Sequence, residues 1–162
     1  MRTIYAVLIS TVVCGIAAAL EGLCAGKNVK AFFASLRMPS FSAPLWVWSL
    51  IGGGYYLIFG FILYRLLRLN ANSLRWSVAI TLVVLMMIVN ALTNYVIFRA
   101  RNLHLSYLIG AWYPLLDVSL FLCLLSLDTV AALALIPYLL YRIYGVWWGY
   151  ALWKNNREPT SR

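Results

Sequence analysis

The chain is 162 residues long, with 64% hydrophobic residues, only 10% charged ones and a formal net charge of +9. That composition excludes a water-soluble domain, because the segments between the apolar runs are too short to form one. Nor does the positive charge mark a nucleic-acid partner, since the basic residues stand at the ends of apolar runs rather than in one patch.

A membrane span needs about 20 predominantly apolar residues. Five runs qualify: Thr3–Cys24, Trp46–Leu67, Trp76–Phe98, Tyr107–Leu127 and Val130–Trp153. Backbone groups cannot stay unpaired in hydrocarbon, and the alternation of a membrane β-barrel is absent. The expected fold is therefore an all-α integral membrane protein: one five-transmembrane-helix domain over residues 1–162, with the lipid bilayer as its first partner.

In the first run, Arg2 and Ala17-Ala18-Ala19 imitate a secretory signal. An uncleaved helix is the better reading, because the run is long enough to span and four more follow. Cys14, Cys24 and Cys123 have no metal-ligand or C-x-x-C spacing and read as small packing residues. Glu21 lies near the end of its run, where it need only reach the interface.

The connection over Ala25–Leu45 holds a pattern of its own. Phe32, Phe33 and Leu36 fall on one helical face, so a short helix is expected in this first loop. Pro39 ends it, and Pro44 can open the second span. That span carries Gly52-Gly53-Gly54, which would serve either packing within one subunit or a homodimer contact.

Asn90 marks the third span: a polar residue there either bonds a neighbouring helix or meets a ligand. His104 lies at a loop edge and reads as a surface histidine. A short loop at Asp128 makes the last two spans an antiparallel hairpin.

The fifth span is the richest. Tyr138, Tyr141, Arg142, Gly145, Gly149 and Leu152 share a face, with Trp148 at its edge, while Ile143 and Trp147 point toward lipid. Gly145 and Gly149 form a G-x-x-x-G, suited to helix packing, to a dimer contact, or to a slot for a planar molecule. Val146, Tyr150 and Lys154 fit a weak sterol pattern that interfacial anchoring explains equally well.

Asp117 and Arg142 lie deep in apolar runs, where an ionisable residue costs at least ~2.5–3.5 kcal/mol unless paired, solvated or used. Asp117 stands 11 residues before Asp128 and Arg142 stands 14 after it. On antiparallel helices their depths then differ by only about 4.5 Å. An ion pair is the leading expectation; contact with a ligand carboxylate and a solvated arginine are the alternatives.

Basic residues also bear on orientation. Lys27, Lys30, Arg37, Arg99, Arg101, Lys154, Arg157 and Arg162 fall on one side; Arg2, Arg65, Arg68 and Arg75 fall on the other. The richer side is expected in the cytoplasm, giving an outside N-terminus and an inside C-terminus.

Two stretches together resemble the translocator protein/TspO family, also called tryptophan-rich sensory proteins or peripheral-type benzodiazepine receptors. Phe32-Phe33-Ala34-Ser35-Leu36-Arg37-Met38-Pro39-Ser40-Phe41-Ser42-Ala43-Pro44-Leu45-Trp46 is similar to the family loop W-Y-x-x-L-x-K-P-S-W-x-P-P-x-W. Pro137-Tyr138 through Trp153-Lys154-Asn155-Asn156 is similar to its ending, and Asn90 with Phe98-Arg99 resembles its third span. The chain departs from the pattern at Gly52, where the family carries a tryptophan, at Arg142 and at Gly149.

The resemblance implies a five-helix bundle, often dimeric, with a pocket under the first loop that binds porphyrins and isoquinoline-type drugs, and cholesterol in animal members. The expected ligand-binding residues are Phe33, Phe41, Trp46, Asn90, Tyr138, Tyr141, Arg142 and Gly145. The first-loop aromatics would form a lid. No resident cofactor or metal is required; a porphyrin or haem-type tetrapyrrole would be the ligand, with sterol as a further candidate.

No nucleophile–base pair, carboxylate dyad or metal cluster points to catalysis. The leading reading is a binding, transport or sensory protein, expected in the cytoplasmic membrane of a prokaryote, with the mitochondrial outer membrane as alternative. An enzyme degrading bound porphyrin through aromatic radicals and a structural or regulatory membrane subunit without a ligand are the competing readings.

Overall fold

Long apolar runs give the backbone no outside partner, so each run pairs its amides internally as a helix. The computed structural model describes residues 3–69, 71 and 73–157; Arg2 and Arg162, used above for orientation, lie outside the described residues. Among the described residues six helices form: α1 (Thr3–Ala25), α2 (Val29–Ser35), α3 (Leu45–Leu69), α4 (Leu74–Phe98), α5 (Leu103–Leu127) and α6 (Thr129–Asn156). Five have the length and composition of membrane spans, and α2 is the short helix of the first loop.

Local chemistry sets the ends. α1 stops at Gly26, whose φ of 76° lies in the left-handed region and whose N–H donates to the Gly22 carbonyl at 3.0 Å. Pro44 stands just before α3, and its carbonyl accepts from Val47 and Trp48. Ser73 caps α4 by accepting from the Trp76 N–H, and Asn102 caps α5 by accepting from the Leu105 N–H. Helix α5 therefore begins before the expected Tyr107. Helix α6 runs past Trp153 to Asn156, because polar residues remain helical once the chain has left hydrocarbon.

α1 packs on α3 and α4, α4 on α5, α5 on α6, and α6 on α3, closing a ring in the order α1–α4–α5–α6–α3. α1 and α3 approach closely where Cys14 meets Gly60; a Cβ there would sit 3.3 Å from the Cys14 Sγ. The ring is filled unevenly. Large buried side chains (Phe59, Ile62, Leu66, Met86, Leu120, Leu124 and Leu135) all lie toward the end holding the α5–α6 turn. Toward the α2 end the inward faces carry Ala18, Gly22, Gly52, Gly110, Gly145 and Gly149 instead. Large residues close one half of the bundle, and small ones leave the other half open.

Asp128 holds the closed end. Its carboxylate accepts from Arg65 Nε at 2.7 Å and Nη2 at 2.9 Å, and caps α6 by accepting from the Val130 and Ala131 N–H groups. The Arg65 hydrogen bonds come first in holding its carboxyl below the usual carboxylate range, with the two backbone N–H groups assisting. A depressed folded-state pKa means stabilisation that is complete above the unfolded value of ~3.9 and lost as pH falls through the folded one. Asp128→Ala should cost about 2 kcal/mol at pH 7 in detergent unfolding. Asp128→Asn, which keeps the cap, should cost about 1 kcal/mol, because Arg65 is partly exposed and solvent screens the pair. The gap between wild type and either variant should narrow below about pH 4.

Candidate ligand-binding site

The open half of the bundle encloses a cavity of about 530 Å³ beneath α2, bounded by α1, α3, α4, α5 and α6. Its size lies within the usual range for small-molecule sites, about 300–1,000 Å³. Of the residues expected there from sequence, Phe33, Asn90, Tyr138, Tyr141, Arg142 and Gly145 all line it. Phe41 and Trp46 do not. Phe41 stacks on Trp147 with ring centroids 4.1 Å apart; Trp147 is 59% exposed on the outer face, as expected, and carries the loop there. Trp46 is 65% exposed, on the outer face of α3.

The tryptophan of α3 that does reach the cavity is Trp48. Two residues along a helix turn the side chain by about 200°, so Trp46 and Trp48 cannot share a face. Trp48 begins the inward stripe of Gly52, Tyr55, Tyr56 and Phe59, and that spacing was the available signal. Its ring lies 4.5 Å from Trp148 and 6.2 Å from Tyr141, and its N–H donates to the Ala43 carbonyl at 3.0 Å. At Gly52, where the resemblance expects tryptophan, a Cβ would meet nothing within 4 Å. The indole is thus supplied one turn earlier, and Gly52 leaves space.

The first loop is stitched to α6 over this half. Tyr144 Oη accepts from the Ala43 N–H and donates to the Phe41 carbonyl, each at 3.1 Å. Trp148 Nε1 donates to Ser42 Oγ at 2.9 Å, and Asn156 exchanges two hydrogen bonds with the Arg37 backbone. Phe33 completes the cover, stacking on Trp148 with centroids 6.2 Å apart.

Two polar constellations lie in the cavity wall. The first was missed in the sequence. Glu21 does not simply reach the interface: its carboxylate accepts from Tyr56 Oη, from Asn90 Nδ2 at 2.9 Å and from Asn94 Nδ2 at 3.0 Å. The signal lay in its neighbours, since Glu21 shares a face with Ala18, Gly22 and Ala25, while Asn90 and Asn94 sit one turn apart.

The second is the expected ion pair. Arg142 Nε donates to Asp117 Oδ2 at 3.2 Å. Pro114 lacks the N–H that would otherwise take the Gly110 carbonyl, and Arg142 Nη2 donates to that oxygen at 3.3 Å. The guanidinium also lies 4.2 Å from the centre of the Tyr113 ring. Two of its five N–H donors are thus engaged, and Asp117 is 2% exposed, with Oδ1 unpartnered.

The remaining candidates have ordinary contacts. His104 is exposed on the Trp153 ring, and Tyr150 packs on Tyr107 with Lys154 above it. Among the described residues, no group of three His, Cys, Asp or Glu gathers where a metal ion could sit. What the arrangement offers chemically is an apolar aromatic enclosure with fixed hydrogen-bonding and charged groups, the usual composition of a binding site.

The comparison with curated proteins returns no match. The sequence model of the TspO/MBR family, by contrast, matches residues 8–154 and so takes in most or all of each of the five membrane-length helices, together with the first loop and the cavity-lining residues. On that coverage, the chain belongs to the TspO/MBR family.

Proposed function

We propose that the protein binds flat hydrophobic molecules, porphyrins or tetrapyrroles of similar shape, in the cavity beneath α2, as a transport or sensory protein. Family membership supports a membrane sensory or transport-type role in general. The observation that carries the ligand reading is the half-open bundle: small residues on the inward helix faces leave about 530 Å³ of aromatic-walled space unfilled. A subunit with a purely structural role gains nothing from leaving that space unpacked, since each unfilled volume forgoes contact energy.

The setting we propose is the cytoplasmic membrane of a prokaryote, with α2, the α4–α5 connection and the C-terminal end of α6 on the inner side. Arg99 Nη2 donating to the Leu23 carbonyl and the Arg37–Asn156 bonds gather these basic segments at one end of the bundle, which supports that orientation. A homodimer in the membrane plane belongs to the same proposal.

Gly145 supplies the test. A Cβ there would meet Tyr141 at 3.8 Å, an ordinary contact, so a larger side chain must extend into the cavity. Gly145→Leu should keep the wild-type helix content and melting profile yet lower porphyrin affinity about tenfold or more, read by quenching of tryptophan fluorescence. Unchanged affinity in that titration removes Gly145 from the site.

A further inference from the structure

We propose that the ligand enters this cavity from within the bilayer, through a slot between α1 and α3, and that Gly22 and Gly53 keep the slot open. The inference rests on the cavity being a ligand site, and it concerns the path by which that site is filled.

Among the described residues that line the cavity, four are exposed: Ala18, Gly22, Ser49 and Gly53. Those contributed by α2, α4, α5 and α6 are all buried or half-buried. The exposure is thus confined to two helices that are neighbours in the ring. Ala18 and Gly22 stand one turn apart on α1, and Ser49 and Gly53 one turn apart on α3. At about 1.5 Å per residue, the first pair lies about 10 and 5 Å from the end of α1 at Ala25, and the second about 6 and 12 Å into α3 from Leu45. The two edges therefore run side by side, at the depth of one leaflet of a hydrocarbon core about 30 Å thick.

The other ways in are closed. Over the loop side, Phe33 stacks on Trp148, and Tyr144 holds the backbone of Phe41 and Ala43. Deeper in the bundle, Cys14 of α1 meets Gly60 of α3, and Phe59 and Ile62 fill the interior. Between those limits the Tyr56–Glu21 hydrogen bond ties α3 to α1. A Cβ on Gly22, Gly52 or Gly53 would meet nothing within 4 Å, so neither helix fills the gap with the other. A flat apolar molecule collects in the bilayer rather than in water, since each Å² of apolar surface removed from water gains about 25 cal/mol. A lateral slot meets it there, and edges of glycine, alanine and serine let a thin ring pass edge-on.

The test uses the monomethyl and monohexadecyl esters of protoporphyrin IX, which share one ring and one charge. Binding to the full chain is followed by quenching of tryptophan fluorescence in nanodiscs of zwitterionic lipid. Each nanodisc holds a single copy, so that no second copy covers the slot, and empty nanodiscs give the partition control. A cavity of about 530 Å³ has no room for ring and chain together. The wild type should nevertheless bind the hexadecyl ester within about threefold of the methyl ester, because the chain leaves through the slot into lipid. Gly22→Trp and Gly53→Trp set an indole in the slot without a backbone clash. Each should admit the methyl ester about tenfold more slowly and bind the hexadecyl ester about tenfold more weakly, since chain and indole compete for one space. Leu57→Trp, an equally large change on the lipid-facing side of α3, should bind both esters as the wild type does.

Exclusion of the hexadecyl ester by a wild type that binds the methyl ester overturns the slot and leaves the cavity as a ligand site. So does hexadecyl binding that survives in both glycine variants. No binding of either ester overturns both readings. The wild-type comparison decides the matter even if a variant fails to fold.

Discussion

Asp117→Asn and Arg142→Gln should each lower stability by about 3–5 kcal/mol, and the double variant should recover part of that loss. Asp117 is buried with one oxygen on Arg142 Nε and the other unpartnered, so the arginine is its only compensation. Removing Arg142 leaves a bare carboxylate inside the bundle. Removing Asp117 is the milder change, because the guanidinium keeps the Gly110 carbonyl and the Tyr113 ring. Arg142→Gln should therefore be the more damaging of the two. Unfolding of the four proteins in mixed detergent micelles measures the coupling. Strictly additive losses would falsify the pair as an energetic unit, whatever its geometry.

Trp48→Ala is expected to cost about 3 kcal/mol and to lower ligand affinity, whereas Trp46→Ala two residues away should change stability by less than about 0.5 kcal/mol. The indole of Trp48 fills the space between α3 and α6, contacts Trp148 and Tyr141, and ties the loop through the Ala43 carbonyl. Its loss opens a void beneath the loop and frees the cover of the cavity. Trp46 is exposed on the outer surface, where lipid replaces whatever contact alanine gives up. Parallel melts and titrations of the two variants separate the faces of α3; equal effects would place both rings in the same environment and contradict the geometry.

Helix number, span lengths and the short first-loop helix were legible because each follows from local rules: apolar length against bilayer thickness, and proline or glycine at the ends. The depth match of Asp117 and Arg142 was legible too, because an antiparallel hairpin with one short turn fixes register by counting. Facing along α6 could be read for Tyr138, Tyr141, Arg142 and Gly145, where aromatic and small residues set one side of the helix apart from the rest.

What the sequence by itself determined was thus everything set within one helix or one hairpin. Only the tertiary structure decided which tryptophan of α3 points inward, because both Trp46 and Trp48 satisfy an apolar span and only the position of α6 distinguishes them. It also decided the surroundings of Glu21: α1 and α4 are distant in sequence, and no local rule brings Asn90 and Asn94 onto its carboxylate. The capture of the Gly110 carbonyl by Arg142 belongs to the same class, since Pro114 announces a free acceptor but not the side chain that takes it. Hydrophobicity specifies that a helix is in the membrane; inter-helix packing alone specifies which of its faces meets which neighbour, and a binding cavity is made of those meetings.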